Sequence, residues 1–203
     1  IDHARNETGA PFEGERVPYL KSLDEHNERV LLCGSFSKSF APGLRTGFGA
    51  VPRWLMPHVI TQKSYHDFGS ATFAQAVLNK ALRSDVYDRH IEDLRIRYRA
   101  KRDAALQVIA DYWPREVKVN RPRGGMYLWA VLPTGMSTSP GNPLFETALE
   151  KYGVIYIPGA LCYPSGSPGN HPDNEMRICY GMIDDERMVE GLKRLGQAIA
   201  GCM

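Results

Sequence analysis

Several features that mark particular classes of protein are scarce or missing in this sequence of 203 residues. No apolar run comes near the roughly 18 residues that a helix needs to cross a bilayer. The formal net charge is only +2, so the composition predicts no strong attraction to nucleic acids or membrane surfaces. The four cysteines lie far apart, and no pair has the spacing of a metal site or of a CxxC motif. We therefore expect a protein of the reducing cytoplasm with no metal site.

The sequence also lacks an initiator methionine, and its first 28 residues are charged and interrupted by glycine and proline. We expect the chain to begin inside a domain, with a further part upstream. The remainder is ordinary for a globular protein, with 43% hydrophobic and 24% charged residues. Cys33 and Cys179 fall in apolar, strand-like runs, which predicts that both are buried free thiols.

In the first half, strand-like and helix-like segments alternate, as in an α/β layer. The first strand is a nearly continuous apolar run, which is typical of a strand buried on both faces. Ser70 or Thr72 is the expected N-cap of the second helix, and Pro114 ends the third. The predicted strands are 29–33 and 46–51, and the predicted helices are 54–61, 72–82 and 85–112.

The second half predicts a small α+β domain. Its last helix is capped by Asp184, and apolar side chains recur at helical spacing from Met188 to Ile199. The boundary between the two parts is expected inside the long helix, at about residues 90–113. The predicted strands here are 117–119, 126–132, 154–157 and 176–180, and a further helix is predicted at 143–152.

A lysine, two hydroxyls and an arginine cluster just after the first predicted strand. Ser35, Ser37 and Lys38 follow it directly, and Arg45 comes seven residues after the lysine. The carboxyl edge of such a strand is where α/β folds bind ligands. A planar guanidinium with neighbouring hydroxyls suits a phosphate, and a lysine amine can form a Schiff base with an aldehyde. The cluster therefore indicates a site for a phosphorylated aldehyde.

Four motifs in order resemble those of class I/II aminotransferases of fold type I. They are SFSK with PGLR at 35–45, GGMYLW at 124–129, IPGALCY at 157–163 and MRICYG at 176–181. The chain is similar to kynurenine and 2-aminoadipate aminotransferases, and the aminotransferase-like domains of MocR-type regulators are also similar. The resemblance extends from FEGE at 12–15 to the last helix.

The resemblance implies an α/β fold with two domains. Residues 1–100 would be the C-terminal part of the large domain that binds pyridoxal 5'-phosphate (PLP), with its mixed, mostly parallel sheet. Residues 101–203 would be a small α+β C-terminal domain. The implied activity is transfer of an amino group between an amino acid and a 2-oxo acid. A homodimer with active sites at its interface is also implied, with no nucleic acid bound by this part and no membrane.

The resemblance also implies roles at the cofactor. Lys38 would form the Schiff base with PLP and move a proton between the substrate Cα and the cofactor. Ser35, Ser37 and Arg45 would hold the phosphate. Asp2 would keep the pyridine nitrogen protonated, which makes the ring an electron sink.

On the substrate side, the resemblance implies that Arg177 binds the α-carboxylate as a bidentate clamp. Tyr127 would line the substrate pocket. Arg5 departs from the family, which commonly has a tyrosine there that hydrogen-bonds the phenolic oxygen of the cofactor. Further cofactor contacts that the family draws from upstream residues have no counterpart in these 203 residues.

The sequence also permits other functions. A MocR-type effector-sensing domain would keep Lys38 but turn over poorly. Lyase or decarboxylase chemistry depends on which Cα bond lies perpendicular to the cofactor ring, and no residue pattern reveals that. Residues 35–38 also satisfy the S-x-x-K pattern of serine acyl-enzymes, but the sequence has no KTG or SDN triplet. The basic run at 95–102 has Asp93 and Asp103 at its ends and spreads around more than one face of a helix, which favours a solvated helix face over a nucleic-acid site.

Overall fold

The computed structural model of the chain describes residues 18–164 and 171–203. Asp2, Arg5 and the FEGE segment lie outside the described residues. The described chain divides into two compact units, and the division falls between Ile96 and Arg97. That point lies inside the long helix α3, which spans Val86–Tyr112.

The first unit contains a two-stranded antiparallel sheet and helices. Strand β1 (Leu32–Ser35) pairs with β2 (Gly47–Ala50), from Leu32 opposite Ala50 to Ser35 opposite Gly47. Helices α1 (Met56–Asp67) and α2 (Thr72–Leu82) follow, and then the first part of α3. Its buried centre is formed by Phe36, Leu78 and Tyr87.

Three details of the first unit differ from prediction. No residue of β1 is buried, and the prediction that Cys33 is a buried thiol is wrong, since Cys33 is exposed. Helix α1 extends six residues beyond the predicted end, from 61 to Asp67, and Pro57 sits in its first turn, where a missing N–H breaks no bond. The N-cap of α2 is Ala71 with no side-chain cap, so the prediction of Ser70 or Thr72 is wrong.

The second unit is built on a four-stranded antiparallel sheet with strand order β3-β4-β6-β5. Helix α4 passes into a π-helical turn at Thr147–Lys151, and α5 ends the chain. The strands are β3 (Lys118–Val119), β4 (Tyr127–Val131), β5 (Ile157–Pro158) and β6 (Glu175–Cys179), and the helices are α4 (Pro143–Glu146) and α5 (Asp185–Cys202).

One face of this sheet forms the core of the second unit. Successive strand residues point to opposite faces, and Leu128 on β4 and Ile178 on β6 are both buried. Apolar residues of α5 pack against them, as the periodicity predicted, and Asp184 caps this helix by accepting a hydrogen bond from Arg187 N at 2.9 Å. The opposite face carries Tyr127, Trp129 and the other residues that alternate with the core, and it is only partly covered.

The predicted strand at 154–157 is much shorter in the structure, where only Ile157 and Pro158 pair with β6. Val154 N donates a hydrogen bond to Ala148 O at 2.8 Å, so Val154 still takes part in the C-terminal turn of the preceding helix. Ile155 is exposed as a result. Among the described residues, none of the helices combines the length and apolar character needed to cross a bilayer.

Candidate active site

The turn after β1 is anchored from within the first unit. Phe36 N donates to Thr46 O at 3.0 Å, which ties the turn to the start of β2. Phe40 N and Ala41 N both donate to Phe36 O, at 2.9 and 3.1 Å. The Phe36 ring is buried against Phe48 and Tyr87, with centroid distances of 5.8 and 6.3 Å. The burial of this one ring therefore fixes the backbone that carries the neighbouring polar residues.

Lys38 lies on this turn between two buried residues, Phe36 and Ser39, and is itself exposed. Within the described part of the chain, its amine has neither a hydrogen bond nor an ion pair. A fixed backbone thus presents a free primary amine at the end of β1. Such an amine can react with a carbonyl group brought to it.

Ser35, Ser37 and Arg45 contact one another on the turn that carries this lysine. Ser37 N donates to Ser35 Oγ at 3.1 Å, and Arg45 Nη1 lies 3.5 Å from Ser37 Oγ and 3.4 Å from Pro42 O. Arg45 has a left-handed backbone (φ 49°), which is uncommon for a residue with a side chain. Such strain persists where the surroundings require it and often marks a functional site. The guanidinium and two hydroxyls together offer donors to an anion.

Arg177 lies in β6, at the centre of the sheet of the second unit. It faces Trp129 on β4 and Ile157 on β5 in the two strand registers. Its guanidinium carbon lies 4.6 Å from the centroid of the Tyr127 ring. Its Nε is buried and has no hydrogen-bond partner among the described residues. A buried, unpaired arginine donor suits an incoming anion, because leaving such a group unbonded is costly.

Glu175 lies two residues before Arg177 on the same face of β6, and its carboxylate has another hydrogen-bond partner. Glu175 accepts a hydrogen bond from the Tyr163 hydroxyl at 2.7 Å, which raises the pKa of Tyr163 above its ordinary value. Glu175 forms no ion pair with Arg177 in the described residues. The guanidinium therefore keeps its charge available for a ligand.

The diglycine turn holds the start of β4, where Tyr127 lies. Gly125 has φ of 82°, a conformation that favours glycine. Tyr180 donates from its hydroxyl to Gly125 O at 2.7 Å, and burial raises the pKa of Tyr180 to about 12. Tyr180 N also bonds to Met126 O at 3.1 Å. Tyr180 thus connects the end of β6 to the beginning of β4.

The structure brings the predicted residues together in two groups, one in each unit. Ser35, Ser37, Lys38 and Arg45 form the first group, and Tyr127 and Arg177 form the second. Sequence reasoning missed the direct contact between Tyr127 and Arg177 because the contact depends on the register of β4 against β6. No group of three or more His, Cys, Asp or Glu residues suited to a metal ion occurs among residues 18–164 and 171–203.

Comparison with known proteins identifies the fold and family that the sequence motifs indicate. Residues 6–195 match the family "Aminotransferase class I and II". The α-aminoadipate aminotransferase LysN of Thermus thermophilus, solved with N-(5'-phosphopyridoxyl)-L-leucine, has a similar structure with a TM-score of 0.83 and 31% identity. That likeness covers 95% of this chain and 48% of LysN, and it confirms the expected fold class.

Two relatives represent different kinds of protein. Aromatic-amino-acid aminotransferase 1 of Thermococcus litoralis is 35% identical over 93% of this chain and 43% of its own length. The uncharacterized HTH-type transcriptional regulator YdfD of Bacillus subtilis is 28% identical over 91% of this chain and 36% of its own length. The chain thus spans less than half the length of these relatives.

Proposed function

Since this chain belongs to the class I and II aminotransferase family, we propose that the whole protein is a PLP-dependent aminotransferase. It would transfer an amino group between an amino acid and a 2-oxo acid. The observation that carries this proposal is the turn at 35–45, where the exposed Lys38 directly follows Ser37, and Ser37 contacts both Ser35 and the Arg45 guanidinium.

The residues of this turn fit the cofactor. PLP carries an aldehyde and a phosphate, and the turn supplies an amine for one and a cationic donor group for the other. Arg45 would bind the phosphate through its planar fork, with Ser35 and Ser37 as further donors. The strained backbone of Arg45 holds that guanidinium over the turn, near Ser37.

Lys38 would bond covalently to the cofactor and, once released, move a proton at the substrate Cα. When bound, PLP supplies an electron sink for the bond broken at that carbon. Lys38 is suited to a proton-transfer role because the buried Phe36 and Ser39 on either side fix the backbone from which it extends.

Arg177 would bind the α-carboxylate of the amino acid. Its buried, unbonded Nε and its lack of an acidic partner among the described residues support this role. A bidentate contact would fix the orientation of the bound amino acid. Tyr127 would line the same pocket, since its ring contacts the guanidinium.

The wider assignments rest on the same family membership. Residues 1–100 would complete the PLP-binding large domain and residues 101–203 would form the small domain. Asp2, which lies outside the described residues, would contact the pyridine nitrogen. A homodimer in the cytoplasm is the expected form, and the four free cysteines agree with a reducing compartment.

A second candidate function is a PLP-binding sensor domain of a transcriptional regulator. The similarity to YdfD over 91% of this chain favours it. In that case a DNA-binding segment would lie upstream in the full-length protein, and turnover of amino acids would be slow. The sequence of the full-length protein and a transaminase assay with a panel of amino acids would decide between the two.

The first test is whether Lys38 binds the cofactor. The full-length protein is mixed with PLP, reduced with borohydride, digested and mapped by mass spectrometry. We expect the reduced adduct on Lys38, none in Lys38→Ala, and an unchanged adduct in Lys80→Ala, which removes an exposed lysine of α2. Equal labelling of Lys38→Ala and wild type would contradict the proposal.

A further inference from the structure

Tyr127 and Arg177 form a defined contact on one face of the sheet. Trp129 lies opposite Arg177 in the register of β4 and β6, and Tyr127 is two residues from Trp129 on the same face. Such diagonal neighbours are within reach of long and aromatic side chains. The guanidinium carbon is 4.6 Å from the ring centroid, which is inside the ~6 Å range of a cation–π interaction.

No described residue accepts a hydrogen bond from the guanidinium of Arg177. A guanidinium that stacks on an aromatic ring contacts it through its face, whereas its N–H donors lie in its plane. An acidic partner would instead occupy those donors and compete with an incoming carboxylate. Glu175, the acid on the same face of β6, is bonded to Tyr163, and Arg177 Nε is buried without a partner among the described residues.

We propose that Tyr127 is a positioning residue, whose ring fixes the face of the Arg177 guanidinium so that its in-plane donors stay available for a carboxylate ligand. The inference rests on the proposed role of Arg177 and gives Tyr127 a role beyond lining the pocket. The ring orders the arginine before the ligand arrives, and this lowers the entropy lost on binding.

The expected effect follows from the cost of ordering one long side chain. Without the ring, the ligand itself must immobilise Arg177, which corresponds to about two- to tenfold weaker carboxylate binding. The loss applies to any ligand with the carboxylate, whatever its other groups. Phenylalanine keeps the ring face, so Tyr127→Phe is expected to restore affinity to within about twofold.

The test uses the cofactor-loaded full-length protein and two ligands with a carboxylate but no amine, succinate and 3-phenylpropionate. Their dissociation constants are measured by isothermal titration calorimetry for Tyr127→Leu, Tyr127→Met and Tyr127→Phe. Tyr112→Leu is the matched control, because Tyr112 packs against Lys193 Nζ at the same 4.6 Å distance on the same unit. Thermal melts identify any variant that fails to fold.

We expect both ligands to bind about two- to tenfold more weakly to the Leu and Met variants, and with unchanged affinity to Tyr112→Leu. Wild-type affinity in the Leu and Met variants would overturn the inference. So would an equal loss in Tyr127→Phe, since the hydroxyl rather than the ring would then matter. Either the Leu or the Met variant suffices if the other does not fold.

Arg177→Gln separates this inference from the proposed function. If Arg177→Gln binds both carboxylates as wild type does, Arg177 is not the carboxylate site and the role of Tyr127 falls with it. If Arg177→Gln weakens binding while the Leu and Met variants of Tyr127 do not, the carboxylate site stands and only the positioning role is wrong.

Discussion

Replacing Gly196 by alanine tests the packing that supports the sheet of the second unit. Gly196 is a buried residue of α5. A Cβ at this position would lie 2.5 Å from Trp113 Cδ1 and 3.0 Å from both Trp113 Nε1 and Tyr112 O. Ordinary carbon contacts are about 3.5–4.0 Å, so the ring or the helix must shift by about 1 Å.

Trp113 cannot move without further loss. Its ring is buried, and Nε1 donates to Leu192 O at 2.8 Å. Overpacking of this kind costs about 1–3 kcal/mol, and loss of the hydrogen bond adds about 1 kcal/mol. Alanine recovers about 0.5–1 kcal/mol of helix propensity. We therefore expect Gly196→Ala to lower the free energy of unfolding by about 1–3 kcal/mol.

Gly191→Ala is the matched control in the same helix, because a Cβ at Gly191 would meet no heavy atom within 4 Å. It should raise the free energy of unfolding by about 0.5–1 kcal/mol through helix propensity alone. Urea unfolding followed by tryptophan fluorescence measures both variants. Equal free energies of unfolding for Gly196→Ala and Gly191→Ala would contradict the close packing of α5 on Trp113.

Two other predictions concern charge. Burial raises the folded-state pKa of Tyr180 from its ordinary value of 10.0 to about 12. The contribution of the buried neutral hydroxyl to the free energy of unfolding is therefore complete below pH 10 and is lost as the pH rises from 10 toward 12. Urea unfolding between pH 9 and 11.5 should show a shallower decline for Tyr180→Phe, and an identical decline would contradict the burial of this hydroxyl. Asparagine tolerates a left-handed backbone, so Arg45→Asn removes the guanidinium without a change of backbone conformation. This variant should weaken PLP binding about 10- to 100-fold through the lost charge-assisted hydrogen bonds. Unchanged affinity in a spectrophotometric titration would exclude Arg45 as the phosphate ligand.

The sequence predicted most helices and the central strands well because their signals are local. Helix α2 was predicted at its observed bounds, and α3 was predicted to within one residue, since Pro114 marks its end. The final helix was predicted from its apolar spacing and its Asp184 cap. These features depend on neighbouring residues in the chain and need no knowledge of the tertiary fold.

Features that depend on distant parts of the chain were not predictable in this way. Cys33 is exposed and Cys179 is only partly buried, because burial depends on what packs over each face of a strand, and the apolar neighbours in the chain do not encode that. The contact of Tyr127 with Arg177 requires the register between strands about 50 residues apart in sequence. The roles of the site residues came from resemblance, whereas the buried, unbonded Nε of Arg177 and its contact with Tyr127 became visible only with the structure.

The central claim is that Lys38 is the cofactor lysine, and mapping the borohydride-reduced adduct of the full-length protein tests it most directly. We expect one pyridoxyl group on the peptide that contains Lys38 and a yellow protein before reduction. Both should be lost in Lys38→Ala and kept in Lys80→Ala. A stable adduct on another lysine, with Lys38 unmodified, would show that Lys38 is not the cofactor lysine.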